Sequence, residues 1–214
     1  MACLRVLLGL IVFSSLTYGE ELQTVEQEEF LKLITEEHYV VALFCPSTAM
    51  ERCEEFEDEL TSAREDMIDV MDGDGWVVKL VDSPIVKEYA VGRTDQPVIV
   101  MFRNGLPVIY DGPANEEVML DTLVRYKEPG VQELTDNTFE HLTQAATGAT
   151  TGDWLVMFYT SSCILCSRLT ATMETLACKH RGRMNVARVN KETYGEKTGR
   201  RFELGLEDKP DLIL

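Results

Sequence analysis

The chain has 214 residues, 45% of them hydrophobic, with 37 acidic against 20 basic side chains and a net charge of −17. Phosphate binding needs basic density, so this balance excludes nucleic acid as a partner, and it disfavours anionic membrane surfaces as well. The length is too great, and the six cysteines too few, for a disulfide miniprotein.

Residues 1–19, MACLRVLLGLIVFSSLTYG, set one early cation, Arg5, before an apolar run from Val6 to Phe13, with small residues at Thr17 and Gly19. This is the layout of a secretory signal peptide cleaved before Glu20. The competing reading, an N-terminal membrane anchor, would need a longer apolar run to span a bilayer. Cleavage takes the net charge to −18 and removes Cys3, leaving Cys45, Cys53, Cys163, Cys166 and Cys178. An odd number leaves at least one thiol free or paired with another molecule. The remaining length suits two domains of about a hundred residues each.

From Glu20 onward, helical and extended segments alternate. TVEQEEFLKLITEE carries Val25, Phe30, Leu31, Leu33 and Ile34 at amphipathic-helix spacing, and YVVALF (39–44) is a short apolar run of the kind a buried strand needs. After Pro46, an acidic stretch places Met50, Cys53, Phe56, Leu60 and Ala63 at helical spacing. The charge-rich segment 51–75 reads either as a solvated helix face or as a loose, low-affinity calcium buffer; DGDG (72–75) lacks EF-hand spacing. WVVKLVD (76–82) is strand-like, and SPIVKEYAV is a short helix with Pro84 in its first turn. PVIVMF and LPVIY, separated by Arg103-Asn104-Gly105, form a β-hairpin, because Asn and Gly tolerate positive φ. EEVMLDTLVRYKE (116–128) supplies a closing helix that Pro129-Gly130 ends.

The same order then restarts. TFEHLTQAA is helical, WLVMFYT a strand, CILCSRLTATMETLACKH a helix, NVARVN (185–190) a strand, KETYGEKTGRRFEL a weaker helix, and KPDLIL a strand matching DQPVIVMF. The alternation predicts an α/β class with parallel strands and an antiparallel hairpin edge. No second hairpin or closing helix follows KPDLIL. The second domain is therefore expected to be incomplete at its C-terminal end, in a fragment or a short isoform; the alternative is that a partner completes the sheet.

TSSCILCSRL (160–169) puts Cys163 and Cys166 two residues apart directly after a strand. The pair reads as a redox dithiol, as half of a zinc site with Cys178 and His180, or as a buried structural couple. The Cys-x-His end is too tight for usual zinc-finger spacing, so no metal site is assigned. Cys45 and Cys53, a C-x7-C pair, form either a structural disulfide or two separate buried thiols. Cys178 reads as a plain buried thiol, and His38 and His141 as surface or helix-end residues without visible partners.

The order helix, strand, CxxC helix, strand, helix, proline, strand resembles thioredoxin. Two such units behind a signal peptide resemble the protein disulfide isomerase family. The residues that carry the match are VVALFCPSTAMERCEEF, VVKLVD and DQPVIVMFRNGLPVIYDG in the first unit. In the second they are WLVMFYTSSCILCSRL, NVARVN and KPDLIL. The resemblance implies tandem thioredoxin-like folds, the second C-terminally incomplete: residues 1–19 signal peptide, 20–129 a domain without CxxC, and 130–214 a domain with it. It further implies thiol–disulfide exchange on secretory-pathway client polypeptides with thiols or disulfides, in the lumen of the endoplasmic reticulum, with no cofactor. A membrane anchor is absent from this sequence and conceivable in a longer form.

On this resemblance Cys163 is the exposed nucleophile, activated at a helix N-terminus, and Cys166 the resolving thiol. Pro210 aligns with the family's cis-proline and, with Lys209, presents backbone to a client peptide. Ser162 and Ile164-Leu165 replace the Trp and Gly-His that the isomerases carry, and Met157 aligns with their buried glutamate, which implies a weaker oxidase. In the first unit Thr48 and Glu51 stand where the two cysteines would be, and Gln96-Pro97 keeps the proline. The competing function is non-catalytic: a chaperone-like protein, or an acidic luminal calcium buffer resembling calsequestrin.

Overall fold

The computed structural model describes residues 21–148 and 151–214, so the expected signal peptide, residues 1–19, lies outside the described residues. The first half consists of β1 (Gln23–Thr24), α1 (Gln27–Glu36), β2 (Tyr39–Cys45), α2 (Met50–Ser62), α3 (Arg64–Val70), β3 (Gly75–Val81), β4 (Val98–Arg103), β5 (Leu106–Tyr110) and α4 (Glu116–Tyr126). Its sheet runs β1-β3-β2-β4-β5, parallel across β1, β3 and β2 and antiparallel across β4 and β5. Asn104 and Gly105 turn the hairpin at φ 49° and 75°, the left-handed region their small or polar side chains accept.

β2 is apolar throughout because both its faces are covered. Val40, Ala42 and Phe44 meet α1, where the Phe30 ring lies 5.5 Å from Phe44 and 5.4 Å from Phe102, edge-on. Val41, Leu43 and Cys45 face the opposite core, with Leu60, Met67 and Leu123 from α2, α3 and α4. Each large side chain buried in this way contributes about 1.5–3 kcal/mol relative to exposure.

The second half contains β6 (Gln132–Leu134), α5 (Phe139–Thr143), β7 (Asp153–Tyr159), α6 (Ile164–Arg168), α7 (Thr170–Lys179), β8 (Met184–Asn190), α8 (Glu196–Arg201) and β9 (Asp211–Ile213). Its sheet runs β6-β8-β7-β9 with the same sense of pairing, so β6, β8, β7 and β9 repeat β1, β3, β2 and β4. The registers agree in detail: Phe44 pairs with Val98 as Phe158 pairs with Asp211, which makes Pro97 and Pro210 equivalent. Among the described residues, this sheet has four strands to the first sheet's five. Both halves are thioredoxin-like α/β units.

Two expectations change. The helix expected over CILCSRLTATMETLACKH is broken at Leu169 into α6 and α7; the Leu169 N–H is shared between the carbonyls of Leu165 and Ser167, a tightened last turn that re-aims the chain. β1 and β6 were not expected, since two or three polar-rich residues give no periodic signal.

The halves meet in a polar seam buried under α7. The Thr175 hydroxyl accepts from the Ile109 N–H at 2.8 Å, occupying the open edge of β5. Arg103 on β4 and Glu174 on α7 pair at 2.8 Å with side chains only 2% and 3% exposed. Glu174 also accepts from the Gly130 N–H at 2.9 Å, and Arg103 donates to the Tyr126 carbonyl at 2.6 Å, so the inter-domain connection is held at both ends. A Cβ on Gly130 would stand 2.6 Å from that of Ala177, which restricts this crossing to glycine. Arg168–Glu88 and Lys179–Asp111 flank the seam as exposed pairs.

Candidate redox site

β7 ends at Tyr159, and the chain turns through residues 160–162 before α6 begins. Cys163 caps that helix with φ −71° and ψ 96°, and its sulfur accepts from the Cys166 N–H at 3.1 Å. A sulfur that receives a helix-start N–H is favoured as thiolate. Cys163 and Cys166 are joined as a disulfide with Cα atoms 5.3 Å apart. The expected exposure of Cys163 is corrected: it is 4% exposed, packed with Cys166, Met157 and Met173. The sulfur folds back over the first turn toward Cys166, and Ile164, at 66% exposure, is the residue that faces solvent. Met157 brings no titratable group into that cluster.

The loop before Cys163 is fixed from two sides. The Ser161 N–H donates to Glu192 at 2.6 Å. The Ser162 hydroxyl donates to Asp208 Oδ1 at 2.5 Å and the Thr160 hydroxyl to the same oxygen at 3.0 Å. The Thr160 carbonyl in turn accepts from the Cys163 N–H at 3.1 Å. The hydrogen bond from Ser162, then that from Thr160, holds the Asp208 carboxyl below its ordinary range. One step beyond the Phe158–Asp211 pair, the register sets Pro210 beside Tyr159, at the strand end leading to the dithiol. No cis peptide bond occurs among the described residues, so Pro210 and Pro97 follow trans bonds, contrary to the expected cis form at Pro210. The trans isomer is the one X–Pro bonds ordinarily prefer. Lys209 is exposed and pairs with Glu207 at 3.3 Å. Behind the loop, Lys191 is 1% exposed and bonds Asp211 at 2.7 Å.

Sequence reasoning found both cysteines but missed Asp208, Glu192 and Lys191, which stand in connecting segments and carry no motif. The zinc set is not assembled. Cys163 and Cys166 are bonded to each other, whereas Cys178 is a buried free thiol in the seam, 3.7 Å from the Glu128 carbonyl.

In the first domain, the structure pairs Cys45 with Cys53 as a disulfide, Cα atoms 5.7 Å apart. The equivalents of the dithiol shift by one from the expected Thr48 and Glu51. Ala49 follows the last residue of β2 as Cys163 follows that of β7, and Arg52 then matches Cys166. The expected strand had ended a residue early, at Phe44. Beside this vacant position lies a cleft of about 320 Å³, lined among others by Phe44, Pro46, Asp82, Val86 and Gln96. The buried Ser83 hydroxyl at its wall has no hydrogen-bond partner among the described residues. His38, expected to lack a partner, meets Asn104 at 2.6 Å.

No family model matches the chain. Over 81 residues, 38% of the chain, it is 44% identical to a thioredoxin domain-containing protein of Theileria parva, a stretch that makes up 36% of that protein. Among solved structures it is similar to the zinc-bound form of human ERp44, with 14% identity and a TM-score of 0.44 over 91% of this chain and 53% of that one. It is also similar to full-length ERdj5, with 18% identity and a TM-score of 0.49 over 91% of this chain and 27% of that one. The chain thus spans about half or less of the length of each. The sheet order repeated in its two halves, with the local match to a thioredoxin domain, makes this chain a thioredoxin-fold protein.

Proposed function

We propose that the protein exchanges thiols and disulfides with client polypeptides of the secretory pathway, in the manner of the protein disulfide isomerases, through Cys163 and Cys166. The observation that carries this reading is the Cys163–Cys166 pair spanning the first turn of a helix, with the Cys163 sulfur on the Cys166 N–H. From the dithiol form, the Cys163 thiolate attacks one sulfur of a client disulfide, forming a mixed disulfide and releasing a client thiolate. The Cys166 thiolate then attacks Cys163 Sγ and frees the second client thiolate. The client gains two electrons and two protons, and the protein loses them. The reverse direction oxidises a client dithiol. Met157 stands where the isomerases carry a buried glutamate, so resolution of the mixed disulfide is slow. The signal-peptide layout of residues 1–19 supports the endoplasmic reticulum lumen as the site of action. Among the described residues no helix is long and apolar enough to cross a membrane.

Reduction of insulin by glutathione in the presence of the protein tests the reading. Turnover is expected in the parent and only background in Cys163→Ser; equal rates in both would overturn it. A second, non-catalytic reading is favoured by the first-domain cleft, which is lined by Phe44, Cys45 and Pro46 at the strand end leading to the dithiol-equivalent turn. It predicts suppression of client aggregation that survives Cys163→Ser.

A further inference from the structure

The loop 160–162 lies between two carboxylates supplied by different connections: Glu192 after β8 and Asp208 before β9. Asp208 binds the residue immediately before Cys163 and, through Thr160, the residue whose carbonyl receives the Cys163 N–H. It is therefore both a mechanical tie and a fixed negative charge held on the residue next to Cys163. The cations nearby are each paired with another carboxylate, and Lys191 alone among them also acts on Asp208, favouring its ionised form. Lys191 is committed to Asp211, Lys209 to Glu207, and Arg168, on the dithiol's own helix, to Glu88 of the first domain.

We propose that Asp208 is a positioning residue for the exchange reaction, one that orders the approach to Cys163 while its charge, reinforced by Glu192, restrains formation of the Cys163 thiolate. This rests on the assignment of Cys163 as the nucleophile. A like charge near a thiol raises the cost of its ionised form, opposing the helix-start N–H that lowers it. The Asp208 carboxyl, held low by Ser162 and Thr160, stays ionised wherever a thiol titrates. The structure thus sets two opposed influences on one sulfur, and the carboxylates decide how much nucleophile is present at neutral pH.

The test is the pH profile of Cys163 alkylation by iodoacetamide in the reduced protein, followed peptide by peptide. Asp208→Asn keeps an oxygen acceptor for both hydroxyls and removes only the charge. In low salt its Cys163 pKa is expected to fall by about half a unit to one unit, the carboxylate being exposed and therefore partly screened. Because intrinsic nucleophilicity falls as pKa falls, the exchange rate at neutral pH rises only about two- to threefold. At 1 M salt, where the screening length is about 3 Å, the difference between parent and variant should shrink, because the carboxylate is exposed, which a structural role would not do. Glu192→Gln moves the profile in the same direction by less. An unchanged or raised Cys163 pKa in both variants would overturn the proposal. Alkylation needs no client, so a profile that shifts as stated while insulin turnover is absent would remove the proposed function and leave this tuning intact.

Discussion

The two halves share one sheet order, one register and one proline position, yet place their cysteines differently on that frame. In the first, Cys45 sits on the last residue of the strand and Cys53 within the helix, both at most 2% exposed, and the bond clamps strand to helix. In the second, Cys163 caps the helix and Cys166 lies one turn on, so the bond closes a small loop at the tip of the helix, next to a side chain in solvent. All four sulfurs are buried, so a shift of a few residues along the same path separates a strand-to-helix cross-link from a pair at the helix start, not a hidden bond from an exposed one. On the proposed reading, reactivity would follow from where along the strand–helix junction the sulfur stands, since the helix start offers unpaired N–H groups.

The comparison can be broken most severely at the second site. Cys163→Ser is expected to reduce insulin turnover to background, whereas Cys45→Ser with Cys53→Ser leaves turnover in place at temperatures where the protein remains folded. A loss of equal size in both would erase the distinction.

The seam gives the next largest effect. Glu174→Ala leaves the Arg103 guanidinium buried without its anion, and such an orphaned charge costs about 3–5 kcal/mol. Urea unfolding should show that loss, together with faster proteolysis near Gly130. Removing the first-domain disulfide by Cys45→Ala with Cys53→Ala should cost about 2–3 kcal/mol in the same assay, the value expected for a short closed loop. At the helix cap of α4, Asn115 accepts from the Val118 N–H at 3.0 Å, and Asn115→Ala should cost about 1 kcal/mol.

The smallest expected effect is one of pH. The Asp208 carboxyl is depressed in the folded protein by Ser162 and Thr160. Its contribution is therefore complete above the ordinary carboxylate range and lost only as pH falls through the lowered folded value. Amide hydrogen exchange of residues 160–163 should stay protected on acidification through about pH 4 and open below it, whereas Asp208→Ala should be open throughout.

Much of this frame was legible in the sequence, for a definite reason. Strands buried on both faces must be apolar along their whole length, so YVVALF and WLVMFY announced themselves, and Asn104-Gly105 named the hairpin. Cys163 and Cys166 were equally plain, because their spacing is local. The missing parts were those set by distance in space rather than along the chain. β1 and β6 exist only through pairing with a neighbour. Asp208 and Glu192 reach the cysteine loop through the sheet register, and Arg103 meets Glu174 across 71 residues of chain. The pairing of Cys45 with Cys53 belongs to the same class, since strand end and helix must pack before their sulfurs meet.

The central claim, that Cys163 is the sulfur that engages clients, is tested most directly by trapping. A Cys166→Ser variant, mixed with a disulfide-containing client and mapped by mass spectrometry, should accumulate a mixed disulfide at Cys163. Capture at Cys178 instead, or no captured client with Cys163 fully reduced, would contradict the account.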